Sequence, residues 1–184
     1  MAFSHYEQHS RQHRERNPTH TKSNIAGRPC ARVCAFARVS KTRPPEDLRE
    51  AFAAGQRAFG ENYLQEALEK IEALSDLEGV DWHFIGPIQS NKTRQMASAF
   101  AWVHSVDRLK IARRLSEQRD PALPPLNICL QVNINEEESK SGCTLDELPD
   151  LVAEIGELPN LILRGLMAIP DPDQPEAGLR ASFR

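Results

Sequence analysis

From residue 33 onward, apolar runs of four to eight residues alternate with segments whose apolar positions recur every three or four residues. The first pattern suits buried strands and the second amphipathic helices. Strands are predicted at Val33–Val39, Ala58–Gly60, Trp82–Ile85, Trp102–Val106, Asn127–Ile134 and Leu161–Ile169. A helix over Pro45–Ala54 starts on a proline suited to the first helical position and stops at Gly55. A second, Tyr63–Leu74, carries Leu64, Leu68, Ile71 and Leu74 on one face. A third spans Asn91–Phe100 with Ser90 as its expected N-cap. Asp107 is the expected cap of a fourth, through Gln118, which buries Leu109, Ala112 and Leu115. A fifth runs from a cap near Asp146 to Gly156, with Pro149 in its first turn. After Pro170 one further helical turn is expected.

Six β-then-α units in a row predict parallel strands joined by right-handed crossovers. A doubly wound open sheet and a closed barrel both accept that order. The phosphate-binding turns that mark nucleotide folds, GxGxxG and GxxxxGK[ST], are absent. A full (β/α)8 barrel takes eight units and about 250 residues. The fold expected here is therefore α/β, of the (β/α)8 TIM-barrel type, incomplete at about six units.

The composition, 40% hydrophobic and 27% charged over 184 residues, is that of one globular domain with a substantial core. Residues 1–28 are polar and read as a separate, disordered N-terminal segment, leaving 29–184 as the barrel domain. In that segment His5, His9 and His13 recur at helical spacing that could bind a metal, but a solvated terminus is the expectation and no function is assigned. The net charge of −3 gives no reason to expect nucleic acid or an anionic membrane as partner. No apolar run has the length of a membrane span. Cys30, Cys34, Cys129 and Cys143 form no CxxC pair, which favours a reducing, cytoplasmic setting.

The chemistry-bearing candidate is Lys41. It follows the first apolar run in Val39-Ser40-Lys41-Thr42, just before Pro44-Pro45. Parallel α/β folds place their chemistry at the C-terminal ends of strands, and a lysine kept partly neutral can form a Schiff base with an aldehyde. The other strand ends read Phe59-Gly60-Glu61-Asn62-Tyr63, His83-Phe84-Ile85-Gly86-Pro87-Ile88-Gln89-Ser90-Asn91-Lys92 and His104-Ser105-Val106-Asp107. Val132-Asn133-Ile134, Ser139-Lys140-Ser141-Gly142 and Gly165-Leu166-Met167-Ala168-Ile169-Pro170 complete the series.

In this order, over roughly residues 37–170, these motifs closely resemble the pyridoxal phosphate homeostasis protein family. Its members are single-domain barrels of the alanine-racemase type that bind pyridoxal 5′-phosphate (PLP). The resemblance implies that Lys41 holds PLP as a Schiff base and that Asn62, His83 and Met167 line or approach the cofactor. On their residues alone, His83 equally suits a satisfied core histidine, Asn62 a helix cap and Met167 plain packing. The resemblance further implies a non-catalytic PLP carrier, with PLP-dependent apoenzymes as candidate recipients, no catalytic residue and no metal. The family's last two units, which carry phosphate recognition, have no counterpart in the sequence, so a truncated product with weakened phosphate affinity is expected. A non-binding remnant of the family, or a barrel enzyme using Lys41 on a sugar or keto acid, are the alternatives.

Overall fold

A computed structural model describes residues 36–134, 141–170 and 173–182. His5, His9, His13, Cys30, Cys34 and the residues of the expected N-terminal segment lie outside the described residues.

The elements follow the predicted order. They are β1 (Arg38–Val39), α1 (Pro45–Ala53), β2 (Ala58–Glu61), α2 (Leu64–Ala73), β3 (Asp81–Phe84), α3 (Thr93–Ala99) and β4 (Trp102–Val106). Then come α4 (Leu109–Gln118), β5 (Leu126–Gln131), α5 (Leu148–Gly156), β6 (Leu161–Met167) and α6 (Glu176–Ser182). The six strands form one parallel sheet in sequential order β1 to β6. Sequential order in an all-parallel sheet is the arrangement of a (β/α) barrel wall, here an incomplete one with β1 and β6 at the edges of the described sheet.

Strand alternation decides what each side chain meets. Trp82 and Phe84 on β3, Val103 on β4, and Leu126, Ile128 and Leu130 on β5 all turn to the helix layer and are buried. There they pack with Phe59, Met96, Phe100, Ile111, Leu115 and Ile155. Each such side chain contributes about 1.5–3 kcal/mol of burial. Phe84 and Phe100 meet edge to face at 5.3 Å. The opposite side of the sheet carries His83, Trp102 and His104, whose rings stack on one another.

Helix starts depart from the sequence reading. Ser90 does not cap α3: residues Ser90–Lys92 form a 3-10 turn, the Thr93 hydroxyl donates to the Ser90 carbonyl, and the α-helix begins only at Thr93. Asp107 does not cap α4 either; its carboxylate accepts from Arg108, which occupies the cap position. Before α5 the cap falls near Asp146 as expected, on the adjacent Glu147, and ahead of the helix Thr144 and Glu147 each accept from the other's main-chain N–H. Pro149 does fall in the first turn. On α2 the expected face packs on the core through Leu64, Ile71 and Leu74, while the fully buried residues within the helix are Ala67 and Lys70. After Pro170 there are two helical turns rather than one.

Candidate functional site

Lys41 emerges directly from β1. The Ser40 N–H donates to the Gly60 carbonyl (2.9 Å), the last ladder bond before the chain turns. The Arg43 N–H then donates back to the Ser40 carbonyl (3.1 Å), closing a tight turn with Lys41 and Thr42 at its tip. Thr42 has φ +63°, a left-handed value rare for a β-branched residue. Such a conformation costs on the order of 1–3 kcal/mol and persists only where its surroundings enforce it.

The enforcement comes from a buried polar cluster that the sequence reading missed. Lys70 Nζ donates to the Ser40 carbonyl (2.7 Å), Glu61 Oε1 (2.8 Å) and Glu66 Oε1 (2.6 Å), using all three of its protons. The Ser40 hydroxyl donates to Glu61 Oε1 (2.6 Å), and the Thr42 N–H to Glu66 Oε1 (2.5 Å). Glu61 and Lys70 are almost wholly withdrawn from solvent. The hydrogen bond from Lys70 holds the Glu66 carboxyl below the usual carboxylate range. A signal did exist, since Glu66 and Lys70 stand at i,i+4 on a helix, but that spacing ordinarily marks a surface pair. Only the fold turns it inward.

At the same end of the sheet a cavity of about 240 Å³ is lined by Asn62, Ile85, Gly86, Pro87, Gln131, Val132, Asn133, Ser141 and Ile169. These residues follow or end β2, β3, β5 and β6, so the cavity sits at the barrel's C-terminal mouth. Its floor is tight. A Cβ on Gly86 would fall 2.0 Å from the Asn62 carbonyl oxygen. The Ser105 hydroxyl donates to the Gly86 carbonyl (2.5 Å). On the opposite side the Gln131 amide donates to the Ser141 carbonyl (2.8 Å), tying the β5–α5 connection to the strand. Among the described lining residues, no side chain carries a charge.

Of the four residues singled out in the sequence, Asn62 lines this cavity. Lys41 is exposed at the tip of the turn that follows β1 and is not among the lining residues. His83 is buried in mid-sheet, its Nδ1 2.9 Å from His104 Nε2 and its ring stacked on Trp102. Burial, aided by the neighbouring His104, pushes His83 down to about 4, so it is neutral at physiological pH. Met167 ends β6 half-buried, its carbonyl accepting from the Val132 N–H (2.9 Å). Neither His83 nor Met167 is among the lining residues. Among the described residues no group of three or more potential ligands could hold a metal. Nor is any described helix long and apolar enough to cross a membrane.

Comparison with known proteins places this fold and mouth in a class. Residues 32–177 match the family model for the alanine racemase N-terminal domain. Within that class, the Pseudomonas aeruginosa pyridoxal phosphate homeostasis protein is 63% identical over 161 residues, covering 88% of this chain and 69% of that protein. The Escherichia coli K12 protein of the same name is 56% identical over 137 residues, covering 73% of this chain and 58% of its own length. The chain belongs to the pyridoxal phosphate homeostasis protein family. Among solved structures, PipY of Synechococcus elongatus PCC7942 with PLP bound superposes with a TM-score of 0.72 at 37% identity, over 80% of this chain and 68% of PipY. An alanine racemase from Clostridium difficile 630, at 10% identity and a TM-score of 0.64 over 79% of this chain, shares the fold alone.

Proposed function

We propose that this chain binds PLP at the barrel mouth, holds it on Lys41 and releases it unchanged, as part of cytoplasmic PLP homeostasis. The observation that carries this reading is the enforced turn that sets Lys41 just past the C-terminal end of β1, at the end of the sheet where Asn62 lines the cavity. PLP supplies an aldehyde, which condenses with a neutral lysine amine, losing water, to give a Schiff base. The chain's own residues do the rest. The turn at Ser40–Arg43 fixes where the Lys41 side chain starts. The cavity, smaller than the roughly 300 Å³ of typical ligand pockets, suits a single-ring molecule. Asn62 and Ser141 bring polar groups to it, and Ile85, Pro87 and Ile169 an apolar wall.

One observation favours a carrier over an enzyme: the name its relatives carry, pyridoxal phosphate homeostasis protein, describes no turnover. Buried free thiols at Cys129 and Cys143, both pushed up by burial, accord with a reducing compartment.

Mixing the protein with PLP, reducing with borohydride and mapping the modified lysine by mass spectrometry tests the reading. One adduct per chain at Lys41, lost in Lys41→Ala, is the expected result. Sub-stoichiometric labelling scattered over surface lysines would overturn it in favour of a non-binding remnant of the family.

A further inference from the structure

We infer that Glu66, Lys70 and Glu61 are positioning residues for Lys41: their buried cluster holds the turn that fixes where the lysine leaves the end of β1. The inference rests on the proposed role of Lys41 and goes beyond it, because none of the three residues lines the cavity.

The geometry is specific to the two peptide groups that flank Lys41. On its N-terminal side Ser40 is held three ways, by its N–H to Gly60, its carbonyl from Lys70 and its hydroxyl to Glu61. On its C-terminal side the Thr42 N–H is held by Glu66. Lys70 joins both sides, since one ammonium group bonds the Ser40 carbonyl and the carboxylate that receives Thr42. A turn with positive φ at its third residue ordinarily takes glycine or asparagine there. A buried ion pair is also a weak source of net stability against an apolar replacement. Geometry at Lys41 is what the cluster secures.

A Glu61 carboxylate with one oxygen bonded by Ser40 and Lys70 and the other buried without a partner among the described residues fits the same account. The cluster is arranged around the turn rather than for the satisfaction of every atom.

Hydrogen exchange of the Thr42 amide in the cofactor-free protein, read alongside borohydride labelling by PLP, tests the inference. Glu66→Ala removes the acceptor at a partly exposed position, and Glu66→Gln restores an acceptor oxygen. The expected result is a fall of about tenfold or more in Thr42 protection and in Lys41 labelling for Glu66→Ala, the order set by losing one charge-assisted hydrogen bond. Glu66→Gln should recover both, and labelling of the other lysines should stay unchanged. Lys70→Met should match Glu66→Ala; should it not fold, the two Glu66 variants decide the matter. Thr42 protection or Lys41 labelling that is unchanged in Glu66→Ala would overturn the inference. Wild-type protein that protects Thr42 yet takes no PLP at Lys41 overturns the proposed function, and with it the cluster's role in presenting the lysine. Wild-type labelling tells the two failures apart.

Discussion

Lys70 Nζ lies 2.7 Å from the Ser40 carbonyl, a contact that joins residues thirty positions apart and fixes the peptide immediately before Lys41. Ser40 leaves β1 and Lys70 belongs to α2, so the bond links the strand end to the helix that follows the neighbouring strand. The lysine assigned to chemistry is exposed, and the lysine that holds its backbone is buried.

Lys41→Ala should abolish the stable PLP adduct and leave folding almost untouched. The side chain is exposed, and such surface substitutions fall within about 0.5 kcal/mol of wild type. Thermal unfolding beside borohydride labelling checks both halves. A marked loss of stability would mean that Lys41 has a structural task.

Gly86→Ala should be severe. Its new Cβ would meet the Asn62 carbonyl at 2.0 Å, and both partners are backbone or backbone-anchored. Overpacking of this kind costs about 1–3 kcal/mol, occasionally more. Because Asn62 must shift, PLP labelling of Lys41 should fall too. Denaturant titration gives the stability change, and a neutral variant would show that the β2 and β3 ends have slack.

His83 makes stability depend on pH in a stated direction. Its folded pKa is depressed to about 4 against an ordinary 6.5, chiefly by burial. Between those values the unfolded chain binds the proton more readily, so acidification from pH 6.5 toward 4 favours unfolding, and stability is fully present above pH 6.5. At about 1.36 kcal/mol per unit, discounted for residual exposure, the loss is on the order of 2 kcal/mol. His104, also lowered by burial, acts in the same sense. Unfolding free energy measured across this range should slope downward in acid, less so in His83→Phe. Equal slopes in the two proteins would refute the assignment to His83.

Arg119 closes the C-terminal end of α3. Its guanidinium donates to the Ala97 carbonyl (2.5 Å), the Phe100 carbonyl (2.9 Å) and, through two nitrogens, the Pro124 carbonyl (2.9 and 2.7 Å). Arg119→Met keeps an apolar stem but strands three carbonyls, at about 1–3 kcal/mol for each one left buried. Loss of stability with Lys41 labelling intact is expected, read by thermal unfolding and mass spectrometry.

Much of this was legible in the chain. Six strands and the helices between them follow from apolar runs and three- to four-residue spacing, and each predicted strand meets an observed one. Strand alternation also foretells that His83 opposes Trp82 and Phe84. Lys41 stood out only in the company of the other strand-end motifs, since a lone lysine at a strand end is more often solvated or ion-paired. Boundaries were less legible. Ser90 and Asp107 have the right side chains for caps, but Ser90 falls in a 3-10 turn ahead of the helix and Arg108 engages the Asp107 carboxylate, which depends on where each group can reach.

The sequence by itself determined the order and type of the elements, because burial periodicity is local and each segment carries its own. It also determined the strand-end motifs by which the family is known. Only the tertiary structure decided that Lys70 is buried, that Glu61 and Glu66 share it, and that Thr42 is held left-handed. It alone made Asn62, Gln131, Ser141 and Ile169 one cavity wall. The reason is physical: a charged side chain reads as solvated until a partner tens of residues away is brought within hydrogen-bonding distance, and only the assembled sheet does that.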